Sequence, residues 1–124
     1  MPSSTPTAFE HNRSSNPLTL VQVARVPPQP KEATWLIEQL WLASGVGLLG
    51  GHAKACKTYL AAELALAVAS GKPALGRFPI PRPGPVVFFG AEDSLSALRA
   101  RFEGLAQARG CDLEQLAVFL IDVP

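Results

Sequence analysis

The most informative stretch of the chain reads Gly51-His52-Ala53-Lys54-Ala55-Cys56-Lys57-Thr58. It fits the phosphate-binding pattern G-x-x-x-x-G-K-[ST] at Gly51, Lys57 and Thr58, and it departs from that pattern at Cys56. In such a loop, backbone N–H groups and the N-terminus of the following helix attract phosphate oxygens. The lysine then reaches the terminal phosphates, and the hydroxyl holds magnesium. We therefore expect all eight residues to bind a nucleotide and Thr58 to bind the metal ion.

The segments on either side support a phosphate site, because the motif requires a strand before the loop and a helix after it. The apolar run Val46-Gly47-Leu48-Leu49 predicts one buried strand, which follows a short helix-like segment from Trp35 to Trp41. From Thr58 to Ser70 the one charged residue is Glu63, which predicts a helix that is buried on nearly every side. Gly71 follows the last helical residue and is a typical helix stop.

The rest of the chain predicts two more strands with a helix between them. The run Val86-Val87-Phe88-Phe89 is apolar without alternation, which is typical of a central parallel strand covered on both faces. Asp93 or Ser94 can cap the next helix. Its apolar residues recur at helical spacing and are Leu95, Leu98, Phe102 and Leu105. With a third strand from Leu116 to Ile121, the order predicts an α/β fold with an open, mostly parallel sheet that is incomplete at about three strands.

The first 32 residues differ in composition from the remainder. Six of the twelve prolines lie within residues 1–30, together with several serines. Such a stretch cannot bury enough apolar surface to offset the entropy lost on ordering, so we predict a flexible, disordered leader over 1–32 and a partial α/β domain over 33–124. Within the leader, the apolar patch from Leu18 to Val26 could dock as an edge strand, because Leu20 to Val23 are strand-forming residues.

Charge and cysteine content exclude several other classes of protein. The 11 basic and 10 acidic residues give a net charge of +1, which disfavours a protein that coats nucleic-acid phosphates. Cys56 and Cys111 have no neighbouring metal ligands, so we expect two buried, reduced thiols. No apolar run approaches the roughly 18–20 residues that span a bilayer, and the N-terminus lacks a secretory signal. We therefore expect a cytoplasmic protein without a membrane partner.

A second candidate site residue is Glu92, which follows the second predicted strand. A carboxylate at that end of a parallel sheet could polarise a water molecule aimed at a bound γ-phosphate. Glu92 could equally be an acid that interacts favourably with the dipole of the next helix, which is the preferred interpretation of Asp93. His52 is interpreted as a solvated loop residue, and Arg99 and Arg101 as a solvated helix face.

Taken together, these segments resemble the RecA-like ATPases of the RepA replicative-helicase type, often labelled AAA-family ATPases of phages, plasmids and mobile elements. The matching segments are Trp35 to Glu38, Gly47 to Gly51, Lys54 to Thr58, Ser70 to Pro73, Gly84 to Phe88 and Ala91 to Ser94. The resemblance covers about residues 33–122. It implies a RecA-like P-loop core, ATP with Mg²⁺, a hexamer-like or filament-like homo-oligomer, and action on single-stranded DNA through a full-length form.

Residue by residue, the resemblance makes Lys57 the phosphate lysine, Thr58 the magnesium ligand and Glu92 the catalytic, water-activating glutamate. The chain departs from the family at Cys56, which replaces a loop glycine, and it ends before the family's next apolar strand with its magnesium-supporting aspartate. We therefore expect a truncated ATP-binding domain of an ATPase that acts in DNA replication or recombination and is not hydrolytically competent alone. The alternative is a non-catalytic interaction module or inactive relic that docks on a full-length ATPase.

Overall fold

The computed structural model describes residues 18–28 and 34–123, and the chain divides into two compact units, Met1–Pro30 and Lys31–Pro124. In the first unit, the described residues are exposed and contain one short 3-10 helix, Val23–Arg25. The edge strand expected within Leu18 to Val26 is therefore wrong, because no strand forms in the described part of this unit. The remainder of the predicted leader, 1–17 and 29–32, lies outside the described residues.

The second unit has the α/β architecture that the sequence predicts. Its elements in chain order are β1 (Trp35–Ile37), β2 (Trp41–Leu42), α1 (Lys57–Ser70), β3 (Val86–Phe88), α2 (Leu95–Ala108), a 3-10 helix (Leu113–Gln115) and β4 (Val118–Leu120). Over the described residues, β1 pairs with β2 and β3 pairs with β4, so there are two small sheets. No helix in 18–28 or 34–123 is long and apolar enough to cross a membrane.

The segment from Trp35 to Trp41 is an antiparallel hairpin, so the predicted helix-like segment is wrong. A turn closes between the strands, where the Leu40 amide donates to the Ile37 carbonyl at 3.0 Å and Gln39 has a positive φ of 61°. Tryptophan and isoleucine favour strands because their bulky side chains pack well on a pleated surface. Ile37 is fully buried, and it anchors the hairpin on the core around Val68 of α1.

The parallel pair β3 and β4 is confirmed, in the register Val86↔Val118, Val87↔Phe119 and Phe88↔Leu120. Val86 and Phe88, with their partners on β4, face the core beneath α1 and α2. Val87 and Phe119 point the other way and are more than half exposed. The described residues thus cover only one face, and the expectation of a strand covered on both faces is wrong. An apolar run indicates which strands favour burial but does not supply the element that covers them.

The two helices and their ends match the sequence signals. The buried side chains of α1 are Ala62, Ala65, Leu66, Ala67 and Val68. Four of these are small or β-branched, which allows α1 to pack closely against α2 and β3. Gly71 ends α1 at a φ of +75°, and the Ser94 side chain caps α2 by accepting from the Ala97 amide at 3.2 Å. Phe102 of α2 meets Phe88 edge to face, with ring centroids 5.2 Å apart.

The apolar run before the phosphate loop is not a strand. Val46 and Leu48 are fully exposed, and no strand pairs with Val46–Leu49 among the described residues. A strand forms only where a neighbour accepts and donates its backbone hydrogen bonds. The segment lies instead against Trp41, whose indole packs so tightly on Gly47 that a Cβ there would come within 2.4 Å of the ring. The predicted strand over 46–49 is therefore wrong.

Candidate phosphate-binding site

The loop from Gly50 to Cys56 is irregular and exposed, and it leads directly into α1 at Lys57. Cys56 is the residue that precedes the helix, and its backbone is left-handed at φ 58° and ψ 26°. Its carbonyl accepts from the Leu60 amide at 3.0 Å, but its side chain makes no capping hydrogen bond. Lys54 also has a positive φ, of 63°. A Cβ disfavours this region, so the loop holds two strained residues within three positions.

The Lys57 side chain bridges two carbonyls of the loop. Its ammonium Nζ donates to the Gly51 carbonyl at 2.8 Å and to the His52 carbonyl at 2.6 Å. The His52 carbonyl also accepts from the Ala55 amide at 3.2 Å, which draws the loop into a compact turn. The partners of the Lys57 ammonium are thus two neutral carbonyl oxygens. An anionic phosphate oxygen could take their place, because it accepts a stronger hydrogen bond from a charged donor.

The eight candidate residues lie together because they are consecutive, and their exposure separates them into two sets. The residues of the loop proper, Gly51 to Cys56, are exposed, whereas Lys57 and Thr58 on the first turn of α1 are half-buried. Among the described residues, the Thr58 hydroxyl has no hydrogen-bond partner, and a hydroxyl oxygen is a ligand type that magnesium accepts. A lysine ammonium, a free hydroxyl and a helix N-terminus form a donor set that fits a magnesium-bound nucleoside triphosphate.

Both cysteines are free, but neither is buried: Cys56 is exposed and Cys111 is half-buried. The expectation of two buried thiols is therefore wrong. Cys56 is exposed because the loop position that it occupies lies at the surface, where the backbone and not the side chain makes the contacts.

Glu92 lies in the short exposed segment between β3 and α2, and its carboxylate has no ion-pair partner within the described residues. The neighbouring Asp93 does have one, since it pairs with Arg101 on α2. The Arg101 guanidinium also lies over the ring of Tyr59 on α1, with its Cζ 5.3 Å from the ring centroid. The hydrogen bond to Asp93 raises the pKa of the Arg101 guanidinium above its usual value. The interpretation of Arg101 as a solvated residue is therefore wrong, whereas Arg99 is exposed.

A second ionic cluster, which the sequence analysis missed, joins α1 to the end of α2. Arg109 pairs with Glu63 and donates from Nη2 to the carbonyls of Lys72 and Pro73, each at 3.0 Å. Lys72 in turn donates from Nζ to the Arg109 carbonyl at 2.9 Å. A signal was present, because Glu63 is the one charge in the apolar run from Thr58 to Ser70 and a largely buried charge requires a partner.

The fold and the loop together define an α/β domain of the P-loop nucleotide-binding class. Residues 11–123 match the model of the AAA domain family, so the chain belongs to that family, and an ATPase-like nucleotide-binding domain is confirmed. No curated protein matches the chain, and no solved structure matches it.

Proposed function

We propose that this chain is the ATP-binding P-loop domain of a RecA-like ATPase of the RepA replicative-helicase type, which acts in DNA replication or recombination. The observation that carries the proposal is the phosphate loop, in which Lys57 spans the Gly51 and His52 carbonyls directly before α1. Membership of the AAA domain family supports ATP as the nucleotide. From the family resemblance, we also propose that the full-length form acts on single-stranded DNA and assembles into a hexamer-like homo-oligomer.

The chain's own groups would bind ATP by exchange of hydrogen bonds. The Lys57 ammonium, which contacts the Gly51 and His52 carbonyls, would donate instead to the terminal phosphates, where its charge would offset the charge of the anion. The first amides of α1 donate to the same oxygens. Thr58 would hold Mg²⁺, which would supply positive charge to offset that of the phosphates. Glu92 is the proposed residue that would orient the attacking water.

We also propose that further structure completes the sheet in the working ATPase. The outer face of β3 and β4 and the residues that follow them is apolar and exposed, which is unusual because parallel sheets are normally covered on both faces. Its exposed residues are Val87, Phe89, Phe119 and Ile121. The exposed Val46 and Leu48 fit the same explanation, since a strand there requires a neighbour that the described residues do not supply. The present chain would then bind ATP without a complete catalytic site.

Binding of ATP is the direct test of this function. We expect saturable binding of a fluorescent ATP analogue that requires Mg²⁺, and a loss of affinity of at least about tenfold in Lys57→Ala, because one charge-assisted contact to phosphate is removed. Arg82→Ala is a matched control, since it removes a positive charge from an exposed loop residue elsewhere. Equal losses in the two variants would show that the binding is not at this loop.

Hydrolysis is expected to be undetectable for this chain alone. Phosphoryl transfer depends on positioning and charge stabilisation, and Glu92 has no partner among the described residues that fixes its carboxylate. In a phosphate-release assay, the unmodified chain and Glu92→Gln should both remain at background, while their affinities for ATP agree within about twofold. Turnover that disappears in Lys57→Ala would contradict this prediction.

The apolar outer face of the sheet favours one other function, that of a non-catalytic module that docks on a full-length ATPase. A module of this kind would still associate with its partner after Lys57→Ala, whereas it would lose the association when Phe119→Ser makes the face polar. In an ATP-binding domain, nucleotide affinity would fall in Lys57→Ala and would be unchanged in Phe119→Ser.

A further inference from the structure

Three side chains connect the segment that carries Glu92 with the helix that begins at the phosphate loop. Asp93 pairs with Arg101 of α2, and the Arg101 guanidinium lies over the ring of Tyr59. Tyr59 directly follows Thr58 on the first turn of α1. We propose that Arg101 is a positioning residue, which holds the segment from Ala91 to Asp93 against the start of α1 so that occupation of the phosphate loop alters this segment. The response of this segment to an occupied phosphate loop rests on the proposed function, whereas the positioning by Arg101 does not.

The chemistry of arginine suits this position. A guanidinium is planar, so one group can pair with a carboxylate in its plane and stack on an aromatic ring through its face. The side chains of Arg101 and Asp93 are 28% and 24% exposed, so water weakens their attraction without removing it. A lysine ammonium at residue 101 could keep the ion pair, but it lacks a flat face for Tyr59.

The two ends of the segment are held by other contacts, all of them to α2. Gly90 lies against Leu98, where an added Cβ would come within 2.7 Å of a methyl carbon. Ser94 caps α2 through the Ala97 amide. Among the ion pairs, hydrogen bonds and ring contacts of the described residues, the path from Asp93 through Arg101 to Tyr59 joins the middle of the segment to α1. Removing it should therefore loosen Ala91 to Asp93 and leave α2 folded.

This position matters for the proposed chemistry because Glu92 lies within the segment and its own side chain makes no ion pair in the described part of the chain. Its carboxylate therefore takes its position from the backbone. A displacement of about 1 Å at a reacting group can lower a rate by about a hundredfold. Arg101 would thus control where Glu92 lies without touching the nucleotide.

Backbone NMR relaxation of the full 13.1 kDa chain tests the positioning role without nucleotide. We expect order parameters at Ala91 to Asp93 near those of rigid backbone, about 0.85, and a fall toward 0.6 or below in Arg101→Ala. Tyr59→Phe should stay closest to the rigid values, because it keeps the ring under the guanidinium and loses only the hydroxyl, while Tyr59→Leu and Arg101→Lys should be intermediate. Arg99→Ala is the matched control on the same helix, and it should change nothing. Equal order parameters in Arg101→Ala and Arg99→Ala would overturn the proposal.

Chemical-shift changes on addition of ATP and Mg²⁺ test the coupling. Shifts at residues 51–58 report binding, and shifts at residues 91–93 report transmission to the Glu92 segment. In Arg101→Ala we expect the first set to persist and the second to disappear, whereas Tyr59→Phe keeps both. Persistence of both sets in Arg101→Ala would overturn the coupling. An absence of the first set in the unmodified chain would reject the proposed function, and the nucleotide-free measurements would still decide the role of Arg101. If Arg101→Ala does not fold, Asp93→Asn breaks the same path from its other end.

Discussion

Cys56→Gly is expected to strengthen ATP binding by about five- to 150-fold. The backbone of Cys56 is left-handed, a conformation that costs a residue with a Cβ on the order of 1 to 3 kcal/mol. This strain favours other conformations of the loop, so only a fraction of the molecules has the conformation that binds phosphate. The apparent affinity for ATP falls by that fraction. Glycine adopts the same angles without that cost, and the stated energies convert to the stated range of affinity.

Titration with a fluorescent ATP analogue, with and without Mg²⁺, measures this difference. Cys56→Ala is the informative control, because it removes the thiol and keeps the Cβ. We expect its affinity to match that of the unmodified chain, which would assign the effect to backbone angle. If alanine strengthens binding as much as glycine does, the thiol itself is the obstacle and the conformational argument is wrong. Equal affinity in all three proteins would mean that the loop tolerates a left-handed cysteine.

Arg109→Ala is expected to lower the free energy of unfolding by about 2 to 3 kcal/mol, somewhat less than the cost of breaking a fully buried ion pair from one side, because the Leu75 amide still donates to Glu63. The Arg109 and Glu63 side chains are only 10% and 14% exposed, so the variant leaves a carboxylate in a largely dry site. It also removes the donors to the Lys72 and Pro73 carbonyls. These contacts connect α1, the loop that follows it and the end of α2, so we expect the whole second unit to melt at lower temperature.

Urea unfolding followed by circular dichroism checks this prediction, with Arg99→Ala as the control from the exposed side of α2. The control should change stability by no more than about 0.5 kcal/mol. The double variant Glu63→Leu with Arg109→Met should recover the part of the loss that comes from the unpaired carboxylate, because it removes both charges, whereas the Lys72 and Pro73 carbonyls still lack their donor. A loss in Arg109→Ala as small as that in Arg99→Ala would contradict a structural role for the pair.

Features with local signals were predictable from the sequence. Helix α1 follows from an alanine-rich run and its glycine stop, and the cap of α2 follows from Ser94. The departure at Cys56 was visible as a cysteine where the loop pattern has glycine, and its left-handed angle is the conformation that such a pattern demands. The parallel pairing of β3 and β4 followed from their connection through a helix.

Features that depend on distant partners were not predictable. The hairpin of β1 and β2, the unpaired segment from Val46 to Leu49 and the exposed outer face of β3 depend on which neighbour each segment meets. The roles of Arg101 and Arg109 depend on partners 8 and 46 positions away along the chain.

The sequence by itself thus determined the helices, the α/β class and the phosphate-loop pattern, because propensity, capping and backbone angles act over a few neighbouring residues. Only the tertiary structure decided which apolar segments pair as strands and which charged residues are solvated. Strand pairing and ion-pair burial require two parts of the chain to meet in space, and residue type alone does not specify where each part finds its partner.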